Sequence, residues 1–140
     1  MMSSSEPWLT LGRTREKALE LVTRPDRESY VALRDSRVAG FVVLCMQGAF
    51  VGYIQTVCVA ADSRGQGIGS KLIEFAEARI LAETANVFMC VSSFNIEAKR
   101  LYLRLGYEVV GELRDYIIAG HSEILLRKTI GPLAGGPVRR

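Results

Sequence analysis

The sequence predicts a mixed α/β fold in which helices pack on the faces of one sheet. Apolar runs of strand length alternate with amphipathic stretches in the order helix, three strands, helix, strand, helix, two strands. The segment from Val59 to Val87 contains one long helix, and a connection of this kind favours a parallel pair of strands. A ligand crevice is expected outside the carboxyl ends of those strands.

Length and composition fit one globular domain. The chain has 140 residues, 49% of them hydrophobic and 24% charged. We expect residues 1–130 to form the domain and residues 131–140, rich in glycine and proline, to form a flexible tail. No apolar run reaches the about 20 residues of a membrane helix, and the N-terminus lacks the features of a signal peptide, so a cytoplasmic location is predicted.

Charge and cysteine content narrow the function classes. The net charge of +3 fits an anionic ligand, whereas the basic tail Arg139–Arg140 offers too few charges for nucleic-acid binding. Cys45, Cys58 and Cys90 are odd in number, lie in apolar runs and lack metal-ligand spacing. They are therefore predicted to be buried free thiols, with thiol chemistry at Cys58 or Cys90 as a minor alternative.

The first elements follow from turn residues. We expect the ordered part to begin at Pro7–Gly12 and the first helix to end before Pro25. The polar turn Arg34–Arg37 joins two strands into a hairpin, and Gly48 loosens the chain before a third strand. The predicted ranges are helix Arg15–Val22, strands Tyr30–Leu33, Val38–Met46 and Val51–Val59, and helix Gly67–Glu83. On the last helix the expected core positions are Ile68, Leu72, Phe75, Ala76 and Ile80.

The second half continues the alternation. Val87–Val91 is almost entirely apolar, as in a central strand covered on both faces. Asn95 can cap the next helix, Ile96–Leu105, and Gly106 can end it. The remaining strand pieces are expected at Glu108–Leu113, Tyr116–Ile118 and Ile124–Arg127, with a hairpin turn at Ala119–Gly120.

The turn that joins the third strand to the long helix is the first motif that points to a function. It reads Arg64-Gly65-Gln66-Gly67-Ile68-Gly69-Ser70. Glycines at alternate positions let backbone N–H groups converge, and the positive end of the helix dipole points to the same place. Arg64 adds a fixed positive charge. We interpret the turn as a site for a phosphate-bearing ligand rather than as a merely flexible helix start.

The spacing of this turn excludes two nucleotide motifs. A Walker loop needs Gly-Lys-Ser or Gly-Lys-Thr, whereas Lys71 here follows Gly69-Ser70. A dinucleotide fingerprint places its third glycine three positions after the second, whereas Gly67 and Gly69 are two positions apart.

A second informative stretch runs from Asn95 to Tyr107. Tyr102 lies seven positions after Asn95, two helical turns along the same face, so both side chains can address one ligand. The alternative is purely structural, with Asn95 as a helix cap and Tyr102 as a core aromatic residue.

These two stretches resemble a known superfamily. The spacing of Arg64, Gly67 and Gly69 after a strand resembles the acetyl-coenzyme A signature of GNAT acyltransferases. Asn95, Ala98 and Tyr102, followed by Leu-Gly-Tyr, resemble its second block, particularly in the ribosomal-protein alanine N-acetyltransferases. The resemblance covers about residues 30–128 and implies a GNAT-like α/β fold with a splayed central sheet flanked by helices. It also implies acetyl transfer from acetyl-coenzyme A to a primary amine by direct attack.

The resemblance assigns roles to individual residues. Backbone groups of Val57, Cys58 and Val59 are expected to bind the pantetheine arm as an added strand would. The expected pyrophosphate site consists of Gly65, Gln66, Gly67, Ile68, Gly69 and Ser70, assisted by Arg64. Asn95 is expected to contact the pantetheine or its surroundings. Tyr102 is expected to act as the general acid for the departing thiolate. No metal site is expected.

The resemblance leaves the general base unassigned. Many relatives carry a glutamate where this chain has Cys90, and a buried cysteine is a poor substitute. Gln55 could orient a water but cannot accept a proton, and His121 is more simply read as a solvated hairpin residue. Water is therefore a further alternative for the base.

The chain also departs from the family at its start. Relatives commonly carry a strand and a helix before the region of Pro7–Trp8, and those elements help to wall the acceptor site. The acceptor pocket is thus expected to be more open, or to be completed by a partner subunit, as in a homodimer.

Two function classes follow. The first is an N-acetyltransferase whose acceptor is a peptide N-terminal amine, slightly ahead of a small-molecule amine. Asp115, Glu112 and Glu123 near the last hairpin could attract a cationic acceptor, although charges at turns are usually only solvated. The second class, motivated by the missing carboxylate, is a non-catalytic acyl-coenzyme A-binding sensor or interaction module.

Overall fold

The computed structural model describes residues 14–133, which form a six-stranded mixed sheet with helices on its faces. The sheet order is β1-β2-β3-β4-β6-β5. The elements are α1 (Arg15–Thr23), β1 (Glu28–Arg34), β2 (Arg37–Cys45), β3 (Tyr53–Val59), α2 (Ile68–Leu81), β4 (Asn86–Ser92), α3 (Ile96–Arg104), β5 (Glu108–Arg114) and β6 (Ser122–Thr129). The predicted fold class and order of elements are confirmed. The expected ordered start at Pro7–Gly12 and most of the tail lie outside the described residues.

Helix α2 carries the core of the sheet. Its buried side chains are Leu72, Ile73, Ala76 and Ile80. They pack against buried residues of three strands, among them Val42, Leu44, Ile54, Val87 and Met89. The prediction was wrong for Phe75, which is 49% exposed and packs edge-on against the Tyr30 ring at the rim. Within residues 14–133 no helix is long and apolar enough to cross a membrane.

The two middle strands, β3 and β4, are parallel as predicted, but they stay paired over a short distance only. Their register comprises Tyr53 with Phe88 and Ile54 with Met89. By contrast, β4 pairs with β6 along its whole length, from Asn86 to Ser92. The strands β3 and β4 therefore diverge after Ile54 and Met89, which opens the sheet towards their carboxyl ends.

An irregularity in β3 changes which side chains face the core. The register with β2 passes from Leu44–Ile54 to Val43–Thr56, so β3 carries one extra residue at Gln55. Beyond this point Val57 and Val59 contact the main core, whereas Cys58 joins Leu21 of α1 in a smaller cluster.

The segment predicted as a strand at Tyr116–Ile118 is instead part of the loop between β5 and β6. Asp115 adopts a φ of 53°, its N–H donates to the His121 carbonyl at 3.1 Å, and its Oδ1 accepts from the Gly120 N–H at 2.8 Å. These bonds close the loop on itself, so the β-forming residues within it are not available for pairing with a strand.

A bidentate ion pair joins the first hairpin strand to α2. Arg79 donates to both Glu28 oxygens at 2.8 and 2.7 Å, and the Tyr30 hydroxyl donates to Glu28 at 2.6 Å. The hydrogen bonds from Arg79 lower the pKa of Glu28 below its usual range.

We expect Arg79→Leu to lower Tm by about 3 °C at neutral pH, because Glu28 loses its partner. Since the folded-state pKa of Glu28 is lowered, the pair stabilises the fold above the unfolded-state pKa, and this stabilisation is lost as the pH falls through the folded-state value. The difference in Tm between wild type and variant should therefore shrink towards pH 3 in thermal melts. A constant difference across that range would show that the ion pair is not its cause.

Candidate active site

A cavity of about 970 Å³ opens where β3 and β4 diverge. It is lined by β3 from Tyr53 to Val59, by the end of β4, by one face of α3 and by the loop between β5 and β6. Its size suits a ligand with a long arm. Seven of the residues predicted for the site line this cavity: Val57, Cys58, Val59, Arg64, Gly69, Asn95 and Tyr102.

The glycine-rich turn meets the cavity through Arg64 and Gly69, while Gly65, Gln66, Gly67, Ile68 and Ser70 are not among the lining residues. Gly65 and Gly67 have φ of 74° and 78°, a conformation that favours glycine, and a Cβ at either would meet no atom within 4 Å. Gly67 is the N-cap of α2, no side chain caps the helix there, and its first turn carries no acidic residue. The turn therefore presents unshielded helix N–H groups on an open surface, which is the arrangement that binds anions.

The predicted residues of this turn are not all directed into the cavity. Arg64 and Gly69 line it, and the Arg64 Nε donates to the Val59 carbonyl at 3.3 Å. Gln66 and Ile68 instead border a separate groove between β1 and α2. The side chains of Gln66 and Ile68 are therefore directed away from the cavity, and only their backbone N–H groups can contact a ligand bound there.

The edge of β3 that faces β4 lies open beside this turn. Val57, Cys58 and Val59 pair with Val42, Phe41 and Gly40 of β2 on one side, while the register with β4 ends at Ile54. Such an edge can hydrogen-bond an extended amide-containing chain.

Asn95 and Tyr102 both line the cavity, as their spacing predicts. The Asn95 side-chain oxygen also accepts from the Ala98 N–H at 3.4 Å, so the structural alternative of a helix cap is realised as well. Burial raises the pKa of the Tyr102 hydroxyl, which keeps it protonated at neutral pH. Its ring lies 6.3 Å from that of Tyr107.

The three cysteines are free, as predicted, although only Cys58 is fully buried. Burial raises the pKa of the Cys58 thiol to about 11 and also raises that of Cys90. Both thiols are therefore protonated at neutral pH, which argues against thiolate chemistry in the cavity.

Gln55 is held in one orientation by an arginine. Arg27 Nε donates to its Oε1 at 2.7 Å, and Arg27 is itself paired with Asp26 at 2.8 Å. The oxygen of Gln55 is thus engaged, and its NH₂ group is the part available to a ligand.

Among the acidic residues near the last hairpin, only one lies in the cavity. Glu112 accepts from the Ser122 hydroxyl at 2.8 Å, and Asp115 closes the loop, so both have local structural roles. Glu123 is 6% exposed and lines the cavity. Burial raises the pKa of its carboxyl, and a hydrogen bond from the Ser92 side chain offsets part of that rise.

The sequence does not predict the burial of Glu123. Apolar and polar side chains alternate along β6, and this pattern places Glu123 on the face opposite Ile124 and Leu126. That face is usually solvated in an antiparallel sheet. Here Tyr116 and Ile117 of the loop line the cavity on that side, and no pattern in the sequence predicts this. His121 packs edge-on against Phe94 at 4.9 Å and is not among the cavity-lining residues in the described part of the chain.

Comparison with known proteins identifies one family. The sequence profile described as "Acetyltransferase (GNAT) family" matches residues 1–107. A blasticidin-S acetyltransferase of Streptomyces morookaense is 31% identical over 59% of this chain and 66% of the relative. An uncharacterized N-acetyltransferase of Methanocaldococcus jannaschii is 33% identical over 78% of this chain and 70% of the relative. An aminoalkylphosphonate N-acetyltransferase of Salmonella typhimurium is 37% identical over 60% of this chain and 58% of the relative. The chain thus matches about 58–70% of the length of these relatives.

Solved structures show the same fold. The ribosomal-protein-S18-alanine N-acetyltransferase of Escherichia coli superposes with a TM-score of 0.71 at 16% identity, covering 94% of this chain and 93% of that one. A streptothricin acetyltransferase homologue of Bacillus anthracis, solved in complex with acetyl coenzyme A, superposes with a TM-score of 0.68 at 20% identity, covering 79% and 66%. The alanine N-acetyltransferase group is thus one structural neighbour at low identity.

Proposed function

The chain belongs to the GNAT family of acetyl-coenzyme A-dependent N-acetyltransferases, and from this we propose that it transfers the acetyl group of acetyl-coenzyme A to a primary amine. One observation carries the proposal. A single cavity is lined by Arg64 and Gly69 of the turn at the uncapped start of α2, by an open strand edge and by a protonated tyrosine. These are the groups needed to hold a diphosphate, an amide-containing arm and a leaving thiolate.

The residues of the cavity and of the adjoining turn fit two parts of acetyl-coenzyme A, its pyrophosphate and its pantetheine arm. We assign the pyrophosphate to the N–H groups of residues 65–70, with Arg64 beside them, and the pantetheine amides to the edge at Val57–Val59. Asn95 lies on the facing helix, where it can contact the arm. The bound molecule supplies an activated thioester, and the protein supplies position and protons.

We assign Tyr102 as the general acid. Its hydroxyl lines the cavity and keeps its proton at neutral pH, since burial raises its pKa. It can therefore donate that proton to the departing sulfur.

For the acceptor, we favour a small cationic amine over a peptide N-terminus. Two relatives with 31% and 37% identity are named for blasticidin S and for aminoalkylphosphonates, which are small molecules. The buried carboxylate of Glu123 in the cavity also fits a cationic amine. The cytoplasmic location, the single-domain boundaries and a homodimer stay predictions from the sequence.

Two measurements on the purified chain test the proposal. Calorimetric titration with coenzyme A should show saturable binding. Thiol release from acetyl-coenzyme A should then depend on an amine from a panel of blasticidin S, an aminoglycoside, 2-aminoethylphosphonate and an alanine-initiated peptide. Absence of binding would refute the proposal. Binding without thiol release across the panel would favour a non-catalytic sensor.

We expect Gly67→Ala to raise the Kd for coenzyme A at least about tenfold, because a Cβ there projects into the space beside the N–H groups and disfavours φ of 78°. Gly120→Ala is the matched control, since Gly120 has φ of 84° and equally open surroundings in a different loop. Both variants should lose similar stability in urea titrations. Equal coenzyme A affinity in the two variants would remove the turn from the binding site.

A further inference from the structure

Glu123 stands apart from the other partly buried carboxylates of the fold because it has no basic partner. Glu28 pairs with Arg79 at 2.7 Å, and Glu77 pairs with Lys128 at 3.2 Å while accepting from the Tyr107 hydroxyl at 2.8 Å. Glu123, with only 6% exposure, forms no ion pair among residues 14–133. A buried carboxylate without a cation is costly, so its retention in a cavity points to a cation that comes from outside.

The register of the sheet fixes where this carboxylate lies. Glu123 is directly opposite Ser92 across the β4–β6 pair, so it shares a face with Cys90 and Leu125, which are the next cross-strand pair on that face. Burial is the main cause that raises the pKa of Tyr53 on β3 and of Cys90 on β4, and the nearby charge of Glu123 adds to both shifts. Glu123 therefore lies beside the end of β4, three residues beyond Met89, where β4 has already separated from β3.

The charges of the cavity lie at two separate places. Among its described lining residues, Arg64 is the one cation and Glu123 the one carboxylate. Arg64 contacts Val59 on β3, whereas Glu123 lies on β6 opposite Ser92 at the end of β4, across the gap between the diverging strands. An anionic ligand part at one end and a cationic part at the other would each meet the opposite charge.

We propose that Glu123 binds the ammonium group of the acceptor and accepts its proton, so that this residue both selects cationic amines and generates the nucleophile. The inference rests on the proposed acetyltransferase function. It places the base on β6, away from the strand position occupied by Cys90. Tyr53 on β3 and Cys90 on β4 face the carboxylate but are neutral at pH 7, and Leu113 faces it from β5. The burial that raises the pKa of Glu123 makes it a stronger base than an exposed carboxylate.

The step balances in atoms and charge. The ammonium RNH₃⁺ gives one proton to the Glu123 carboxylate and becomes RNH₂. Its nitrogen lone pair forms the C–N bond at the thioester carbon as the C–S bond breaks, and the sulfur takes the Tyr102 proton. The new amide nitrogen returns its surplus proton to the Tyr102 phenolate, and Glu123 releases its own to solvent. The net products are the acetamide, coenzyme A thiol and one proton.

The test compares Glu123→Gln with Glu108→Gln, a carboxylate on the same hairpin that is 61% exposed and outside the cavity lining. With the best amine of the panel, Glu123→Gln should lower kcat/KM about 100-fold at pH 7, while the Kd for coenzyme A stays unchanged. Its rate should then rise tenfold per pH unit up to the amine pKa, because only pre-formed free amine can react. Glu108→Gln should behave as wild type. Glu123→Asp should restore part of the rate.

Thermal melts of the ligand-free protein give a second readout. The folded-state pKa of Glu123 is raised, so the wild type should lose stability as the pH rises through it, and Glu123→Gln should not. We expect the variant to melt about 3 °C above wild type at pH 8 and level with it near pH 4.

If the wild type is active and Glu123→Gln is equally active, Glu123 does not have the proposed role, while the proposed function stands. The same holds if the pH profile of Glu123→Gln is that of the wild type. A wild type that binds coenzyme A but acetylates no amine would overturn both. A variant that is less stable than wild type at pH 8 would also refute the inference, since it would show that the hydrogen bond from Ser92 stabilises the charged carboxylate without an acceptor amine.

Discussion

Tyr102→Phe is expected to lower kcat for acetyl transfer about 1,000-fold while leaving the Kd for coenzyme A nearly unchanged. The substitution removes the only proton that this side chain can give to the leaving sulfur, and it keeps the ring that fills the cavity wall. Because the thiolate forms only as the thioester breaks, the loss should fall on kcat rather than on KM. Steady-state thiol release and calorimetry measure the two quantities.

A matched control is available in the neighbouring ring. Tyr107 lies 6.3 Å from Tyr102, is 3% exposed and donates its hydroxyl proton to Glu77 at 2.8 Å, outside the cavity lining. Tyr107→Phe should cost about 1 kcal/mol of stability through that lost hydrogen bond and leave kcat unchanged. If Tyr102→Phe turns over as fast as Tyr107→Phe, Tyr102 is not the acid.

Gly52→Ala is expected to destabilise the fold by about 4 kcal/mol, a large fraction of the roughly 5–15 kcal/mol that keeps an ordinary domain folded. Gly52 has φ of 88°, and a Cβ there would lie 2.5 Å from the Ile80 Cγ2 and 2.6 Å from the Asn86 carbonyl oxygen. The backbone cannot retreat easily, because Gly52 donates to Cys45 at 3.2 Å and accepts from Phe88 at 2.9 Å. Urea denaturation of wild type and variant measures the difference.

Gly48→Ala separates backbone strain from steric conflict. Gly48 has φ of 95° in the same connection between β2 and β3, but a Cβ there would meet nothing within 4 Å. We expect a loss of about 1–2 kcal/mol from strain alone. Similar losses for both variants would mean that the contacts of Gly52 with α2 and β4 relax more freely than their distances indicate.

Much of the fold was predictable because its signals are local. The order of elements follows from periodicity, the start of α2 from Gly67, and the start of α3 from Asn95. The parallel pairing of β3 and β4 follows from the long helix between them. Arg64 and Tyr102, far apart in sequence, were both assigned to one ligand and do line one cavity.

The missed features depend on which strands meet and where they stop. The sequence around Tyr116–Ile118 has strand character, but hydrogen bonds of Asp115 commit it to a loop. Glu123 has the sequence context of a surface charge, but the pairing of β6 with β4 buries it opposite Ser92. Phe75 has helical core spacing, yet it packs against Tyr30 on the edge strand β1 and stays 49% exposed. Contacts between distant segments decided each of these cases.

The short pairing of β3 with β4 has a mechanical consequence. The sheet consists of two wings, β1-β2-β3 and β4-β6-β5. Within the part of the chain that the structure describes, the wings share backbone pairing only near Tyr53–Ile54 and Phe88–Met89, and α2 packs across both. A ligand that fills the gap and hydrogen-bonds to both wings would link them at a second place. A bound ligand would then add to the contact that the shared core already makes between the two wings, and so raise the Tm of the whole sheet.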